Sequence, residues 1–395
     1  MFSENRNFLI LILILMFVGI LLQTRKSDMY VPDTNTDTRE NILLESQNEA
    51  TTTPESETGE EPSTENATRE NTVQKQIEDA ISSLLKEPNI AVKTPVVNAP
   101  VVTAPVVEAV DPGISFSLIN EQARESLVNI LCTTKSGGLL NPISGSGIII
   151  DPKGIILTNS HVAQYYLLKD YSTTDFITCV IRTGSPAKVK YLAEPLYISE
   201  SWIGENAKLI DAQEALGTGE YDYALLMITK TIDGSPLPEN FAYTKISKST
   251  NLKINDNVYL GGYPAGFIGG ITIQKSLSIT STIGQISELF TFGEGALDLI
   301  GVKGSIVSQK GSSGGAVINN KGDLIGVVVT STSADNTADR ILGAITTGYV
   351  ERDFERQVGT SLEDFLSRSN ETTIESFWST IAPPLIEALE NELDN

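Results

Sequence analysis

The chain has 395 residues, with 28 Lys and Arg against 50 Asp and Glu, and a formal net charge of -22 at pH 7. This acidic balance excludes nucleic acid as an expected partner, because phosphate binding needs clustered positive charge. One histidine and two cysteines cannot form a His/Cys zinc cluster, and we expect neither metal nor cofactor. The length exceeds one ordinary domain without requiring two complete ones.

An unbroken apolar run occupies residues 8–22 and is followed by Arg25 and Lys26. A membrane span takes about 20 residues, so the run is short, but no small-x-small cleavage motif follows it and no nearby cysteine permits lipidation. We interpret residues 1–26 as an uncleaved signal anchor, that is, a transmembrane segment. A cleaved signal peptide is the alternative.

Residues 27–112 have the composition of a tether. Up to residue 70 they are rich in Thr, Glu, Asn and Ser, which predicts disorder because too little apolar surface is available to offset chain entropy. Residues 73–85 place apolar side chains at helical spacing and predict a short helix that either packs on the following domain or self-associates. A five-residue repeat starting at Pro95, Pro100 and Pro105 favours an extended spacer.

Residues 113–350 predict an all-β domain, because short runs of β-branched residues alternate with Gly, Pro, Asn and Asp. We divide it into halves at 113–247 and 248–350. A turn at 151–154 makes a hairpin that leads to His161, where a short helical turn to Leu168 begins. The predicted strands cover 127–132, 147–150, 154–158 and 176–181, then 253–260, 296–302, 305–308, 323–330 and 341–345, with a half-exposed hairpin at 271–286.

Three motifs in this domain carry chemistry. Ser313 lies in GSSGGAV, and a serine ringed by glycines suits an acyl-transfer nucleophile, because the backbone must bend sharply to expose the hydroxyl. His161 lies in TNSHVA, and Asp222 precedes the apolar run YALLMI. The order His, Asp, Ser is that of double-barrel peptidases and differs from that of subtilisins and α/β-hydrolases. Asp211 is the nearest rival to Asp222, but no such run follows it.

These motifs, with GSGIIID and GGYPAG between them, resemble the trypsin-like serine peptidases of the HtrA/Deg type over about residues 113–350. The resemblance implies a chymotrypsin-like fold of two six-stranded antiparallel β-barrels. It also implies a triad in which Ser313 is the nucleophile, His161 the general base and Asp222 the residue that orients it. The N–H groups of Gly311 and Ser313 would form the oxyanion hole.

The resemblance also sets expectations around the triad. Ser312 stands where the family usually has Asn, a change that we expect the turn to tolerate. The interval from His161 to Asp222 is longer than usual, which implies an insertion within 184–219 that shapes or covers the cleft. Val307 is expected near the base of the primary specificity pocket. Since neither a carboxylate nor a second histidine is available there, we predict a preference for small or medium aliphatic residues.

Both cysteines, Cys132 and Cys179, fall in strand-like segments of the first half. Export would permit a disulfide between them, and two buried thiols are the alternative. Family resemblance places the domain outside the cytoplasmic membrane, at the cell surface or in the periplasm. Arg25 and Lys26 favour the opposite orientation under the positive-inside rule.

Residues 351–395 predict acidic amphipathic helices at 362–366 and 374–393, the second interrupted at Pro383-Pro384. They either pack on the barrels or mediate trimerisation. About 45 residues are too few for the PDZ domain common in HtrA-type proteins, so we expect none.

The sequence as a whole predicts a membrane-anchored serine endopeptidase that acts on protein or peptide substrates in quality control or processing. One alternative is a catalytically inactive protease-fold module that binds proteins as a chaperone does. The other is an adhesin or stalk whose tether is the functional part, which leaves the three motifs unexplained.

Overall fold

The computed structural model describes residues 113–135, 140, 142–210, 218–248, 251–266, 273, 275–293, 295–331 and 340–394. The apolar run at 8–22, the tether with its predicted helix and proline repeat, and Asp211 lie outside these ranges. Within them, no helix combines the length and the apolar character that crossing a membrane requires.

The described strands close into two six-stranded antiparallel barrels, which confirms the predicted fold of this part of the chain. The first barrel contains β1 (Leu127–Thr134), β2 (Ile143–Asp151), β3 (Ile155–Thr158), β4 (Ile177–Thr183), β5 (Lys188–Ile198) and β6 (Ala224–Thr231). The second contains β7 (Asn257–Gly262), β8 (Thr280–Phe290), β9 (Leu299–Lys303), β10 (Ala316–Ile318), β11 (Leu324–Ser331) and β12 (Ile341–Thr346). The strand order is β1-β2-β3-β6-β5-β4 in one and β10-β11-β12-β9-β8-β7 in the other.

Residues 147–150 of β2 and 155–157 of β3 are buried on both faces, which explains why neither stretch contains a polar side chain. Side chains alternate between the two faces of a strand. Ile149 and Ile156 therefore belong to the core of the first barrel, whereas Ile148 and Leu157 belong to a second core that also includes residues of β10, β11 and β12. The shared core fixes the two barrels against each other at the level of β3, the strand that leads to His161.

The helices surround the barrels, and three of them were not expected from the sequence. The helix Phe116–Ser126 begins after Ser115, whose hydroxyl accepts from Leu118 N at 3.3 Å, and it buries Ile119 and Ala123 at helical spacing. The helix Glu200–Asn206 begins after Ser199, whose hydroxyl accepts from Trp202 N. The helix Thr347–Val358 begins after Thr346, whose hydroxyl accepts from Tyr349 N at 3.0 Å. The helices are α1 (Phe116–Ser126), α2 (Ser160–Leu167), α3 (Glu200–Asn206), α4 (Thr347–Val358), α5 (Leu362–Arg368), α6 (Glu371–Ser376) and α7 (Ala382–Leu393).

The last helix, α7, and the turn before it pack on the first barrel. A π-helical turn (Phe377–Ile381) joins α6 to α7, and Phe377, Ala382, Leu385 and Leu389 are buried in the first-barrel core. The two prolines at 383–384 lie in the first turn of α7, directly after the π-helical turn, and the Ala382 N–H donates to the Phe377 carbonyl. The predicted interruption at these prolines is therefore a π-helical turn just before them, and the helix continues through it.

The hairpin predicted at 271–286 is wrong. In the described part of that segment, residues 273, 275 and 276 are helical, and the single strand β8 (Thr280–Phe290) begins only at Thr280 and continues past the predicted end. The alternation of Ile with Ser and Thr arises from one half-exposed strand. Alternation alone does not indicate whether a segment forms one strand or a hairpin of two.

Cys132 and Cys179 are direct partners in the antiparallel pairing of β1 with β4. Their sulfur atoms lie 2.07 Å apart, at disulfide bonding distance. The two cysteines meet because β1 and β4 are neighbours in the barrel. The residues around each cysteine in the sequence do not specify this neighbour relation.

Candidate active site

His161 occupies the first turn of α2, directly after β3, with 15% of its side chain exposed. Two hydrogen bonds tie this turn to the start of β6. Asn159 Nδ2 donates to the carbonyl of Asp222 at 2.9 Å, and Ser160 Oγ donates to the carbonyl of Tyr223 at 2.6 Å. The backbone around His161 is therefore fixed relative to the backbone around Asp222.

The Asp222 carboxylate engages His161 through both oxygens. Oδ2 lies 2.6 Å from His161 Nδ1, and Oδ1 accepts from the backbone N–H of His161 at 3.0 Å. With the carboxylate ionised, Nδ1 carries the proton and Nε2 keeps its lone pair, which is the tautomer that a general base needs. The structure therefore brings these two predicted site residues together.

The residues on either side of Asp222, Tyr221 and Tyr223, are held by hydrogen bonds to side chains of α4. Tyr221 has a φ of 60°, in the left-handed region, and its N–H donates to the hydroxyl of Tyr349 at 3.0 Å. Tyr223 OH donates to Oδ2 of Asp353 at 2.7 Å, and Asp353 is fully buried in α4. Burial raises the pKa of Tyr223, so its phenol stays a donor.

Tyr223 and Asp353 were missed by sequence reasoning. Arg356 and Gln357 also donate to the Asp353 carboxylate, so the charge is compensated although it is removed from water. Asp353 lies in an acidic C-terminal segment, where nothing in the sequence separates it from its exposed neighbours. The one usable signal was that Tyr223 directly follows Asp222.

Ser313 lies in the turn that precedes β10. Gly311 and Gly314 have φ values of 92° and 82° there, a region that side chains other than glycine rarely adopt. A Cβ on Gly314 would lie 1.9 Å from the carbonyl oxygen of Ser146 and 2.6 Å from Thr158 Oγ1. The glycines thus let the serine turn approach β2 and β3 closely.

The N–H groups of this turn fall into two classes. Those of Ser312, Gly314 and Gly315 donate to the carbonyls of Gln309 (3.1 Å), Val328 (2.8 Å) and Ser312 (2.8 Å). Within the described residues, those of Gly311 and Ser313 donate no hydrogen bond. The two groups expected to bind an oxyanion are therefore the two that the fold leaves unengaged.

The serine turn abuts the strand end that leads to His161. Ser146 N donates to the carbonyl of Ser313 at 2.7 Å, and Thr158 Oγ1, at the end of β3, donates to the carbonyl of Ser146 at 2.7 Å. Across the described chain, no hydrogen bond joins the Ser313 hydroxyl to the imidazole. Such bonds are often long in free enzymes and tighten with substrate.

Around the site, α3 falls within the segment expected as an insertion. Its Trp202 ring lies 6.4 Å from the His161 ring, centroid to centroid, at a tilt of 44°. Val307 is fully buried and packs in the core of the second barrel, so its place in a specificity pocket stays a prediction. In the ranges that the structure describes, no group of three or more His, Cys, Asp or Glu side chains could hold a metal ion.

The matches among known proteins include a family and a distant relative. The trypsin-like peptidase domain family matches residues 145–327, a range that contains all three predicted triad residues. A protein of Synechocystis sp. named "Putative serine protease HhoA" is 29% identical over 194 residues. That similarity covers 49% of this chain and 38% of the relative, so the chain spans well under half of the relative's length.

Proposed function

We propose that the chain is a serine endopeptidase of the HtrA type that works through Ser313, His161 and Asp222, since residues 145–327 match the trypsin-like peptidase domain family. The observation that carries the proposal is the contact between His161 and both carboxylate oxygens of Asp222. A buried aspartate that binds both the ring and the backbone N–H of a histidine is expected for a catalytic base, and a histidine without a catalytic role does not require one.

In the proposed reaction, Ser313 Oγ attacks a peptide carbonyl while His161 Nε2 takes the hydroxyl proton. His161 then gives this proton to the leaving amine, which leaves an acyl-enzyme that water hydrolyses by the same steps. Asp222 stabilises the imidazolium formed on the way. The oxyanion of each tetrahedral intermediate binds the N–H groups of Gly311 and Ser313, which exist as unengaged donors before substrate arrives.

We place this activity outside the cytoplasmic membrane, in quality control or processing of proteins, with residues 1–26 as the membrane anchor. The pairing of Cys132 with Cys179 supports this location, since disulfides persist in oxidising compartments. A cysteine introduced at an exposed position, Leu118→Cys, and a membrane-impermeant thiol reagent on intact cells test it. Labelling of Leu118→Cys only after the membrane is opened would contradict the placement.

The catalytic proposal is tested with the full chain and a fluorophosphonate probe. Wild type should be labelled and should hydrolyse casein, whereas Ser313→Ala should do neither at an unchanged melting temperature. Ser126→Ala is the control, because Ser126 is a buried serine of this domain that lies outside the site. Labelling that persists in Ser313→Ala refutes the assignment of the nucleophile.

A second candidate function, a binding module without turnover, is favoured by the missing hydrogen bond between the Ser313 hydroxyl and His161. It predicts that wild type binds casein without cleaving it and that Ser313→Ala binds equally well. Casein hydrolysis that is lost in Ser313→Ala decides for the peptidase.

A further inference from the structure

Ser146, in β2 of the first barrel, lies outside the triad and binds the serine turn directly through hydrogen bonds. It is fully buried, and each of its polar groups is engaged. Its N–H donates to the Ser313 carbonyl at 2.7 Å, and its hydroxyl donates to the Gly311 carbonyl at 2.7 Å. The hydroxyl also accepts from Tyr263 N at 2.8 Å, and the carbonyl accepts from Thr158 Oγ1 at 2.7 Å.

We propose that Ser146 is the positioning residue of the oxyanion hole: its hydroxyl orients the N–H of Gly311, and its backbone N–H orients that of Ser313. This inference rests on the proposed function. Ser146 touches neither substrate nor the reacting atoms, and it acts through the two peptide units that do.

The N–H of Gly311 is set by bonds on both sides of that residue. On one side, Ala265 N donates to the carbonyl of Lys310 at 2.6 Å. Because the C=O and N–H of a trans peptide point in opposite directions, this bond aims the Gly311 N–H away from Ala265. On the other side, the Ser146 hydroxyl holds the Gly311 carbonyl. Together the two bonds fix a backbone conformation, φ 92°, that glycine would otherwise leave easily.

The N–H of Ser313 is held in the same way. The carbonyl before it, that of Ser312, accepts from Gly315 N at 2.8 Å, and the carbonyl after it accepts from Ser146 N at 2.7 Å. One residue of the first barrel therefore supplies one of the two restraints on each oxyanion donor, and both donors belong to the second barrel's serine turn.

The hydrogen bonds also determine that the Ser146 hydroxyl is the donor in its bond with the Gly311 carbonyl. A backbone N–H only donates, so Tyr263 N requires the Ser146 oxygen as acceptor, which leaves the hydroxyl proton for the Gly311 carbonyl. Ser146→Ala removes this link and leaves the backbone bond to Ser313 in place. The substitution should therefore loosen one oxyanion donor and spare the other.

The test compares Ser146→Ala with Ser126→Ala in the full chain. Ser126 is a matched control, since its hydroxyl is also fully buried with two partners, the Ala123 carbonyl at 3.0 Å and Thr244 Oγ1 at 2.7 Å, away from the serine turn. Loss of a whole oxyanion donor costs about 10²–10³ in kcat, so a loosened one should cost about 10–100-fold. We expect KM to stay within about twofold.

Two readouts separate positioning from a structural role. The first is kcat per active site, with sites counted by fluorophosphonate titration. The second is the inhibition constant of a substrate-like peptide aldehyde, whose adduct with Ser313 places an oxyanion in the hole. We expect Ser146→Ala to weaken aldehyde inhibition by the same factor as kcat, and Ser126→Ala to change neither.

Three results would overturn the inference. In the first, Ser146→Ala lowers only the melting temperature or the titratable fraction while kcat per site and aldehyde inhibition stay at wild-type values. In the second, Ser146→Ala does not fold and Thr158→Val, which releases the Ser146 carbonyl, leaves kcat and aldehyde inhibition unchanged. The third is a wild type without Ser313-dependent turnover, which overturns the proposed function as well.

Discussion

Asp222→Asn keeps the shape of the side chain and reverses the hydrogen-bonding character of one of its two polar atoms. The backbone N–H of His161, 3.0 Å from Oδ1, only donates, so the amide oxygen of an asparagine must take that position. The NH₂ group then faces Nδ1, at the site where Oδ2 now lies 2.6 Å away, and donates to it.

An NH₂ donor at Nδ1 places the single ring proton of neutral His161 on Nε2. Nε2 then has no lone pair for the Ser313 proton, and kcat should fall by about 10⁴-fold, the loss expected for the wrong tautomer. This corresponds to about 5 kcal/mol in the activation barrier. The fold should be retained, because the substitution adds no volume and leaves the Asn159 bond to the backbone carbonyl of residue 222 intact.

The assay measures kcat on a fluorogenic peptide together with the melting temperature of each variant. Asp298→Asn is the control, since Asp298 is also buried and also accepts from a backbone N–H (Phe292, 2.7 Å), with Arg352 as its second donor at 2.7 Å. It should lose stability without losing kcat. A kcat for Asp222→Asn within about tenfold of wild type, at an unchanged melting temperature, would refute the tautomer reasoning.

Three further predictions concern stability. Leu389→Ala empties a fully buried site in the first-barrel core and should lower the free energy of unfolding by about 2–5 kcal/mol in denaturant titrations, whereas Leu118→Ala, at a side chain 41% exposed, should change it little. Replacing Cys132 and Cys179 together by Ala should lower it by up to about 4 kcal/mol, because the disulfide spans 47 residues, while a wild-type value under non-reducing conditions would contradict a bridge. Burial raises the pKa of Tyr223, so the stability that its neutral phenol contributes is complete below about pH 10, where tyrosine of the unfolded chain ionises, and is lost as the pH rises further. Tyr223→Phe should therefore flatten the fall of the melting temperature at alkaline pH. A fall as steep as that of wild type would refute this.

The sequence predicted the parts of the site that are carried by local motifs. His161 and Ser313 stand in segments whose own residues dictate the turn, and Asp222 stands directly before a buried strand. The positions of β2 and β3 were also predictable, because residues 147–150 and 155–157 are apolar and a turn at 151–154 lies between them. Strand β5 was missed, since it lies in the segment expected as an insertion.

The parts that could not be predicted depend on residues far apart in the chain. The network from Tyr223 to Asp353 joins positions 130 residues apart. The bond from Ser146 to Gly311 spans 165 residues. A serine in the middle of an apolar strand gives no sign of its partner, since hydroxyls pair with whatever the fold brings near. Helix α1 was missed because its two buried apolar residues, Ile119 and Ala123, precede a strand-like run that dominated the pattern.

The packing of α7 on the first barrel has a consequence for biosynthesis. The strands of that barrel end at Thr231, but its core is completed by Leu385 and Leu389, which are translated only after the whole of the second barrel. Domains generally fold in the order in which they leave the ribosome. The core of the half that carries the histidine can therefore be completed only after the second barrel has emerged, and we expect the first barrel of a nascent chain to stay unfinished until Leu389 has been translated.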